Sequence, residues 1–166
     1  VKPIDVCAVL REATPYLPRF APNPALGLPK YGMTPLFRFH YSCYAGANGF
    51  LSTPSDLVRF AMAINDGKLL RRETVRMLQT SQRLKSGKET GYGLGWDLET
   101  VNLAGEQTRW VGHSGTSLGG MVASLMAFPE HGIVVSVTSN ISYADTEALG
   151  LRVAEAFAQQ RSGSAR

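Results

Sequence analysis

The stretch Met121-Val122-Ala123-Ser124-Leu125-Met126-Ala127-Phe128-Pro129-Glu130-His131-Gly132-Ile133-Val134-Val135-Ser136-Val137-Thr138 decides the fold. Its two apolar runs, Met121 to Phe128 and Ile133 to Thr138, have the length and the β-branched content of buried strands. Between them, Pro129 removes a backbone donor and fixes φ, while Gly132 supplies a residue at home with positive φ. A link of four residues cannot return a chain parallel to itself, because parallel neighbours need a crossover of about a dozen residues or more. The segment therefore predicts an antiparallel hairpin.

Working outward toward the C-terminus, Ala144 to Gln160 predicts a covering helix with Leu149, Val153, Ala156 and Phe157 on one face, followed by a polar tail at 161–166. In the other direction, Thr108 to Val111 and Tyr92-Gly93-Leu94-Gly95-Trp96 read as extended segments rich in aromatic and β-branched residues. Before them, Ser81 to Thr90 is polar and loop-like, and Arg72 to Thr80 suggests a short helix with Val75, Met77 and Leu78 on one side. Thr53-Pro54-Ser55-Asp56 carries an N-cap hydroxyl, a proline at the first helical position and an acid in the first turn. A helix should follow it, with Leu57, Phe60, Ala61 and Ile64 at helical spacing and Asp66-Gly67 as its stop. Nearest the start, Ile4 to Ala13 suggests a short helix. The run from Pro15 to Pro35, with Pro18, Pro22, Pro24 and Pro29 inside it, reads as an irregular surface connection.

The fold class is thus α+β: helices leading into an antiparallel sheet that a C-terminal helix covers on one face. The expected organisation is a single partial domain. It has an irregular, Pro-rich part with a glycine-rich turn at 1–51, a helical part at 52–90, the sheet and its helix at 91–160, and a tail at 161–166.

Composition bounds the function classes. A chain of 166 residues with 44% hydrophobic residues can bury a real core. The formal charge of +4 comes from basic residues scattered along the chain. Lys68, Arg71, Arg72 and Arg76 flank a helix, and Arg83, Lys85 and Lys88 lie in a loop, so no stripe for nucleic acid is expected. No stretch approaches the roughly 20 uninterrupted apolar residues of a membrane span. Cys7 and Cys43 form no disulfide framework, and the three histidines have no metal-ligand spacing, so no metal or organic cofactor is implied. The sequence carries no targeting signal that would assign a compartment.

The chemistry concentrates in Val111-Gly112-His113-Ser114-Gly115-Thr116-Ser117-Leu118-Gly119-Gly120. On a strand, Gly115 lets a substrate lie close to the backbone, and the Thr116 N–H can point at a developing oxyanion. His113 stands beside that position as a polar or cationic group, although a structural, hydrogen-bonded histidine next to a glycine turn is the other reading. A competing motif overlaps it: Gly115-Thr116-Ser117-Leu118-Gly119 matches the G-x-S-x-G nucleophile elbow letter for letter. The elbow needs a strand before its serine and a helix after it. Ser117 instead leads through Gly119-Gly120 into a strand pattern, and the one histidine after it, His131, belongs to the hairpin turn.

Four blocks in order carry a resemblance. Tyr44-Ala45-Gly46-Ala47-Asn48-Gly49-Phe50-Leu51-Ser52-Thr53-Pro54-Ser55-Asp56-Leu57-Val58-Arg59-Phe60, Tyr92-Gly93-Leu94-Gly95-Trp96, His113-Ser114-Gly115 and Gly132-Ile133-Val134-Val135-Ser136-Val137-Thr138-Ser139-Asn140 precede a closing helix. Together they resemble the C-terminal part of serine β-lactamase-like hydrolases, closest to the branch of class C β-lactamases, family VIII esterases and mitochondrial β-lactamase-like proteins in the penicillin-binding-protein superfamily. The resemblance covers about residues 40–160. It implies the β-lactamase/transpeptidase-like fold and a small amide or ester substrate. It gives catalytic roles to His113 and Thr116, and substrate contacts to Ser114, Gly115 and Gly49. The Gly46 to Phe50 segment also reads as a tight turn entering a helix.

The family's nucleophile and base come from a Ser-x-x-Lys motif, assisted by a Tyr-x-Asn motif. Neither spacing occurs in the 166 residues: Ser81 and Lys85 are one residue too far apart for the first, and Tyr44 and Asn48 are two residues too far apart for the second. Because both motifs precede the glycine-rich segment in the family, they are expected before Val1. The chain is then expected to be a C-terminal fragment, inactive alone, whose partner is the N-terminal half of the same protein. An exposed sheet edge would favour self-association. Two other functions stay open: a non-catalytic β-lactamase-like binding or assembly module, and an α/β-hydrolase with Ser117 as nucleophile.

Overall fold

The structure, a computed structural model, describes residues 13–19, 32–35, 46, 50–117 and 120–164. The helix expected at Ile4 to Ala13 falls, but for Ala13, outside the described residues, as do Cys7, Cys43 and Gly49. The elements run β1 (Tyr16–Arg19), β2 (Gly32–Pro35), α1 (Pro54–Asn65), α2 (Arg72–Leu78), β3 (Asp97–Leu103), β4 (Glu106–Thr116), β5 (Val122–Phe128), β6 (Ile133–Ser139) and α3 (Thr146–Ser164). They fall into two compact units: Thr53–Ser114 with Ser124–Val137 and Asp145–Arg166, and Val1–Ser52 with Gly115–Ala123 and Thr138–Ala144.

One sheet has the order β3-β4-β5-β6. β3 and β4 pair antiparallel from Asp97 opposite Gly112 to Leu103 opposite Glu106. The links from β4 to β5 and from β5 to β6 are too short for a crossover, so those neighbours are antiparallel as well. Pro129–His131 forms one turn of 3-10 helix closed by Gly132 at φ 59°, which is the hairpin that the opening stretch predicts.

In the larger unit β4 is buried on both faces, because successive strand residues point to opposite sides. Trp110 packs with Leu103, Met126, Phe128, Ile133, Val135, Ala154 and Ala158, the core under α3. Its neighbour Val111 faces a second core of Ile64, Val75 and Trp96, with Leu70, Leu78 and Leu98 against it. The sequence led us to expect cover on one sheet face. Instead α1 and α2 supply the second layer through Ile64 and Val75.

Helix α1 starts where its cap signals place it. Thr53 is the N-cap, its hydroxyl oxygen accepting from the Asp56 N–H at 3.2 Å. Gly67 follows the helix at φ 71°. Ala61 and Ile64 are buried, whereas Phe60 is exposed. Helix α2 ends at Leu78, two residues short of the expected Thr80, and turns Val75 inward while Met77 is 56% exposed.

The covering face of α3 differs from the expected one. Leu149 and Phe157 are 50% and 57% exposed, while Ala154 and Ala158 are 0% and 3% exposed. Gly150, Ala154 and Ala158 lie four residues apart on one stripe, and a Cβ on Gly150 would come within 2.9 Å of Met126 Sδ. Close approach of the helix to the sheet selects small residues at the contact, so the bulky apolar residues are displaced from it. Ser124 anchors the start of the helix, its hydroxyl donating to the Thr146 carbonyl at 3.0 Å.

Two further expectations are corrected. Tyr92 to Trp96 is a bend, with Gly91 and Gly95 at φ 72° and 81°, and the strand begins only at Asp97. The polar pair Glu99-Thr100 breaks the alternation of apolar with polar residues between Leu98 and Val101, which obscured β3 in the sequence. In the smaller unit the Pro-rich run is not wholly irregular: β1 and β2 pair antiparallel, Tyr16 opposite Pro35 and Pro18 opposite Met33. In a two-stranded ribbon both strands are edges, so a proline can point its missing donor outward. Tyr16 also donates its N–H to the Asn140 carbonyl at 2.7 Å and accepts from the Ser142 N–H at 2.9 Å.

Candidate active site

In the larger unit, β4 carries His113 and Ser114 just past the buried pair Trp110 and Val111. Gly112 sets the spacing, since a Cβ there would collide with the Leu125 carbonyl oxygen of β5 and with the Trp110 ring. The strand therefore emerges from a tightly packed sheet, and His113 is the first exposed side chain after the buried Trp110-Val111-Gly112.

Both nitrogens of the His113 ring are engaged. Nδ1 lies 2.5 Å from the Ser114 carbonyl oxygen, and Nε2 lies 3.0 Å from the Tyr92 hydroxyl. A carbonyl oxygen can only accept, so Nδ1 carries the proton; in the neutral ring Nε2 is then the acceptor and Tyr92 donates to it. The Tyr92 and His113 rings also meet edge to face, with centroids 5.9 Å apart and planes at 81°.

Tyr92 is held by its backbone. Its carbonyl accepts from the Gln82 N–H at 2.8 Å, and its N–H donates to the Thr90 hydroxyl oxygen at 3.1 Å. On either side, the Gly91 N–H donates to Ser81 Oγ at 3.1 Å and the Gly93 N–H to the Trp96 carbonyl at 2.7 Å. A side chain on Gly93 would strike the Leu78 carbonyl at the end of α2. The bend is thus pressed against α2, and the buried Trp96 beyond it pins the chain into the Ile64–Val75–Val111 core.

In the smaller unit, Gly115 and Thr116 end β4 and are exposed, and a Cβ on Gly115 would meet nothing within 4 Å. Ser117 follows outside the strand. Its N–H donates to the Met121 carbonyl at 2.8 Å, its carbonyl accepts from the Gly120 N–H at 2.9 Å, and β5 starts at Val122. This is a turn between two strands. The helix that a nucleophile elbow requires is replaced by β5, and Ser117 Oγ is buried with no hydrogen-bond partner among the described residues. Gly49 lies outside the described residues, and Gly46, at its flank, has φ 100°.

The sequence pointed to His113 through the short His-x-Gly pattern, but passed over Tyr92 as its partner. The available signal was the glycine pair around Tyr92, which punctuates the chain as a turn and not as a strand. Among the described residues no three His, Cys, Asp or Glu side chains gather into a metal site, and no helix is long and apolar enough to cross a membrane.

An antiparallel sheet with helical layers on both faces of β4, a strand that goes on to an exposed His113 and a half-buried Ser114, defines an α+β protein. The Beta-lactamase family model matches residues 8–160. The chain therefore belongs to the β-lactamase family of serine hydrolases, as its four ordered sequence blocks imply. No curated protein matches the chain.

Proposed function

We propose that this chain forms the substrate-side wall of a serine hydrolase that cleaves an amide or ester through an acyl-enzyme, in the class C, family VIII esterase and mitochondrial β-lactamase-like branch. The observation that carries the reading is the run His113, Ser114, Gly115, Thr116 at the end of β4, exposed at His113, Gly115 and Thr116. Substrate lies along Ser114 and Gly115, where the missing side chain leaves room. The Thr116 N–H donates to the oxyanion, and His113 orients the substrate and shapes the local field. Gly49, in the glycine-rich block, contributes a further substrate contact.

The nucleophile of this reading is the serine of a Ser-x-x-Lys motif, which the 166 residues do not contain. Its Oγ bonds to the substrate carbonyl carbon, and its proton passes through the lysine and the tyrosine of Tyr-x-Asn to the departing amine or alcohol. Water then adds to the acyl carbon and releases the acid, returning the serine. The chain alone is accordingly inactive. The test compares the 166-residue chain with the natural gene product containing it, on a chromogenic β-lactam and a simple aryl ester. Turnover by the gene product and none by the chain supports the proposal; turnover by the chain alone overturns it.

The absence of both motifs from the 166 residues also favours a second reading, a non-catalytic β-lactamase-like binding or assembly module. A gene product that lacks Ser-x-x-Lys and Tyr-x-Asn throughout decides for it.

A further inference from the structure

We propose that Tyr143 is a specificity-determining residue of the hydrolase, its exposed ring a platform for an aromatic or large apolar acyl group of the substrate held at Gly115 and Thr116. The inference rests on the reading of Gly115 and Thr116 as substrate contacts, and it deepens that reading by naming what the substrate carries.

Strain without a packing reason is the first observation. Among the described residues, the non-glycine residues with positive φ are Ala104 at 52° and Tyr143 at 64°. Ala104 is accounted for by the two-residue turn between β3 and β4, which it forms with Gly105 at φ 86°, and by Glu155 Oε2, which accepts its N–H at 2.8 Å. Tyr143 is the third residue of the turn that the Ala144 N–H closes on the Ile141 carbonyl at 3.3 Å. Glycine or asparagine suits a positive φ at that place, and a tyrosine there costs stability. Burial does not call for the ring, which is 76% exposed. The fold thus requires the turn and not the tyrosine, and strain kept where packing does not need it is characteristic of functional positions.

Anchorage is the second. Ser139 Oγ accepts from the Ile141 N–H at 3.1 Å, the buried Ser142 donates its N–H to the Tyr16 carbonyl at 2.9 Å, and Asn140 Nδ2 donates to the Thr14 carbonyl at 2.8 Å. A ring mounted on a turn held in this way meets a ligand with little further loss of backbone freedom.

Placement is the third. The bond from the Ser117 N–H to the Met121 carbonyl sets Thr116, the last residue of β4, beside Val122, the first of β5. Strands β5 and β6 have seven residues each and are joined by the short Pro129–His131 turn, so Val122 lies in its turn beside Ser139, the last residue of β6. Thr116 and Ser139 are therefore two strand spacings apart, about 10 Å, and the turn from Ile141 to Ala144 follows at that end of the sheet. Thr116 and Tyr143 both belong to the smaller unit. Ile141 is 41% exposed as well, so the turn presents apolar surface, and an aromatic face with an aliphatic neighbour favours a flat or bulky apolar group over a methyl group.

The test compares Tyr143→Gly and Tyr143→Phe. In the 166-residue chain Tyr143→Gly should raise the thermal midpoint by about 2–4 °C as the strain is relieved. In the natural gene product it should lower kcat/KM for ethyl phenylacetate about tenfold more than for ethyl acetate, whereas Tyr143→Phe, which keeps the ring, should hold the unaltered preference. A midpoint that does not rise, or an unchanged ratio of the two kcat/KM values, overturns the proposal. Turnover of neither ester by the unaltered gene product sinks the hydrolase reading instead. Binding of phenylacetamide against acetamide, followed by ligand-observed NMR, then decides this one: loss of the phenylacetamide preference in Tyr143→Gly upholds it, and an equal preference in both proteins overturns it.

Discussion

Gly112 and Gly115 lie three residues apart on β4, and a methyl group would meet very different surroundings at each. At Gly112 it would strike the Leu125 backbone, which cannot yield without moving β5; at Gly115 it would meet nothing within 4 Å. Gly112→Ala should therefore destabilise the chain by about 2–4 kcal/mol, read as a lowered denaturation midpoint. Gly115→Ala should change stability by no more than about 0.5 kcal/mol. In the natural gene product Gly115→Ala should nevertheless lower kcat/KM, because the space it fills is the space we assign to substrate. Equal stability with undiminished turnover would remove Gly115 from the site. At this scale His113 was legible because a His-x-Gly pattern on a strand is a short, dense signal. Tyr92 was not, because its partner is 21 residues away in sequence and only a folded bend brings the two together.

Among the elements, the strands written as continuous apolar runs were readable, and the one that mixes charge into its pattern was not. The β5–β6 hairpin followed from two apolar runs and one turn, while β3, beginning at Asp97, was displaced onto the preceding glycine-rich bend. Helix α1 was readable from its cap alone. Thr53→Ala should cost about 1 kcal/mol of stability, which chemical denaturation would register. Helix α3 was expected over Ala144 to Gln160 and runs Thr146–Ser164, with Val153 against the core as expected but Leu149, Ala156 and Phe157 turned outward, since hydrophobic size does not reveal where backbones must approach. The contrast is testable by paired substitutions. Phe157→Ser on the exposed face should shift stability by no more than about 0.5 kcal/mol, whereas Ala154→Leu, forced against the sheet, should cost about 1–3 kcal/mol. Similar losses from both would contradict the observed stripe of Gly150, Ala154 and Ala158.

For the whole molecule, the α+β class and the family were legible because four separate blocks occur in one order, which is far more specific than any one of them. The outer strands of the four-stranded sheet are β3 and β6. We expect the isolated chain to self-associate through such an edge, so its apparent mass in size-exclusion chromatography should rise with concentration. A concentration-independent monomer would argue that the edges are blunted. The central claim, that the end of β4 is the substrate wall of a serine hydrolase whose nucleophile is not Ser117, is tested most directly by trapping the covalent intermediate. The natural gene product is incubated with a β-lactam or an activated ester, and the acylated residue is located by peptide mass spectrometry. The account predicts an acyl group on the serine of a Ser-x-x-Lys motif, with less adduct accumulating when His113 is replaced by alanine. An acyl group on Ser117, or on any serine of the 166 residues, would contradict it.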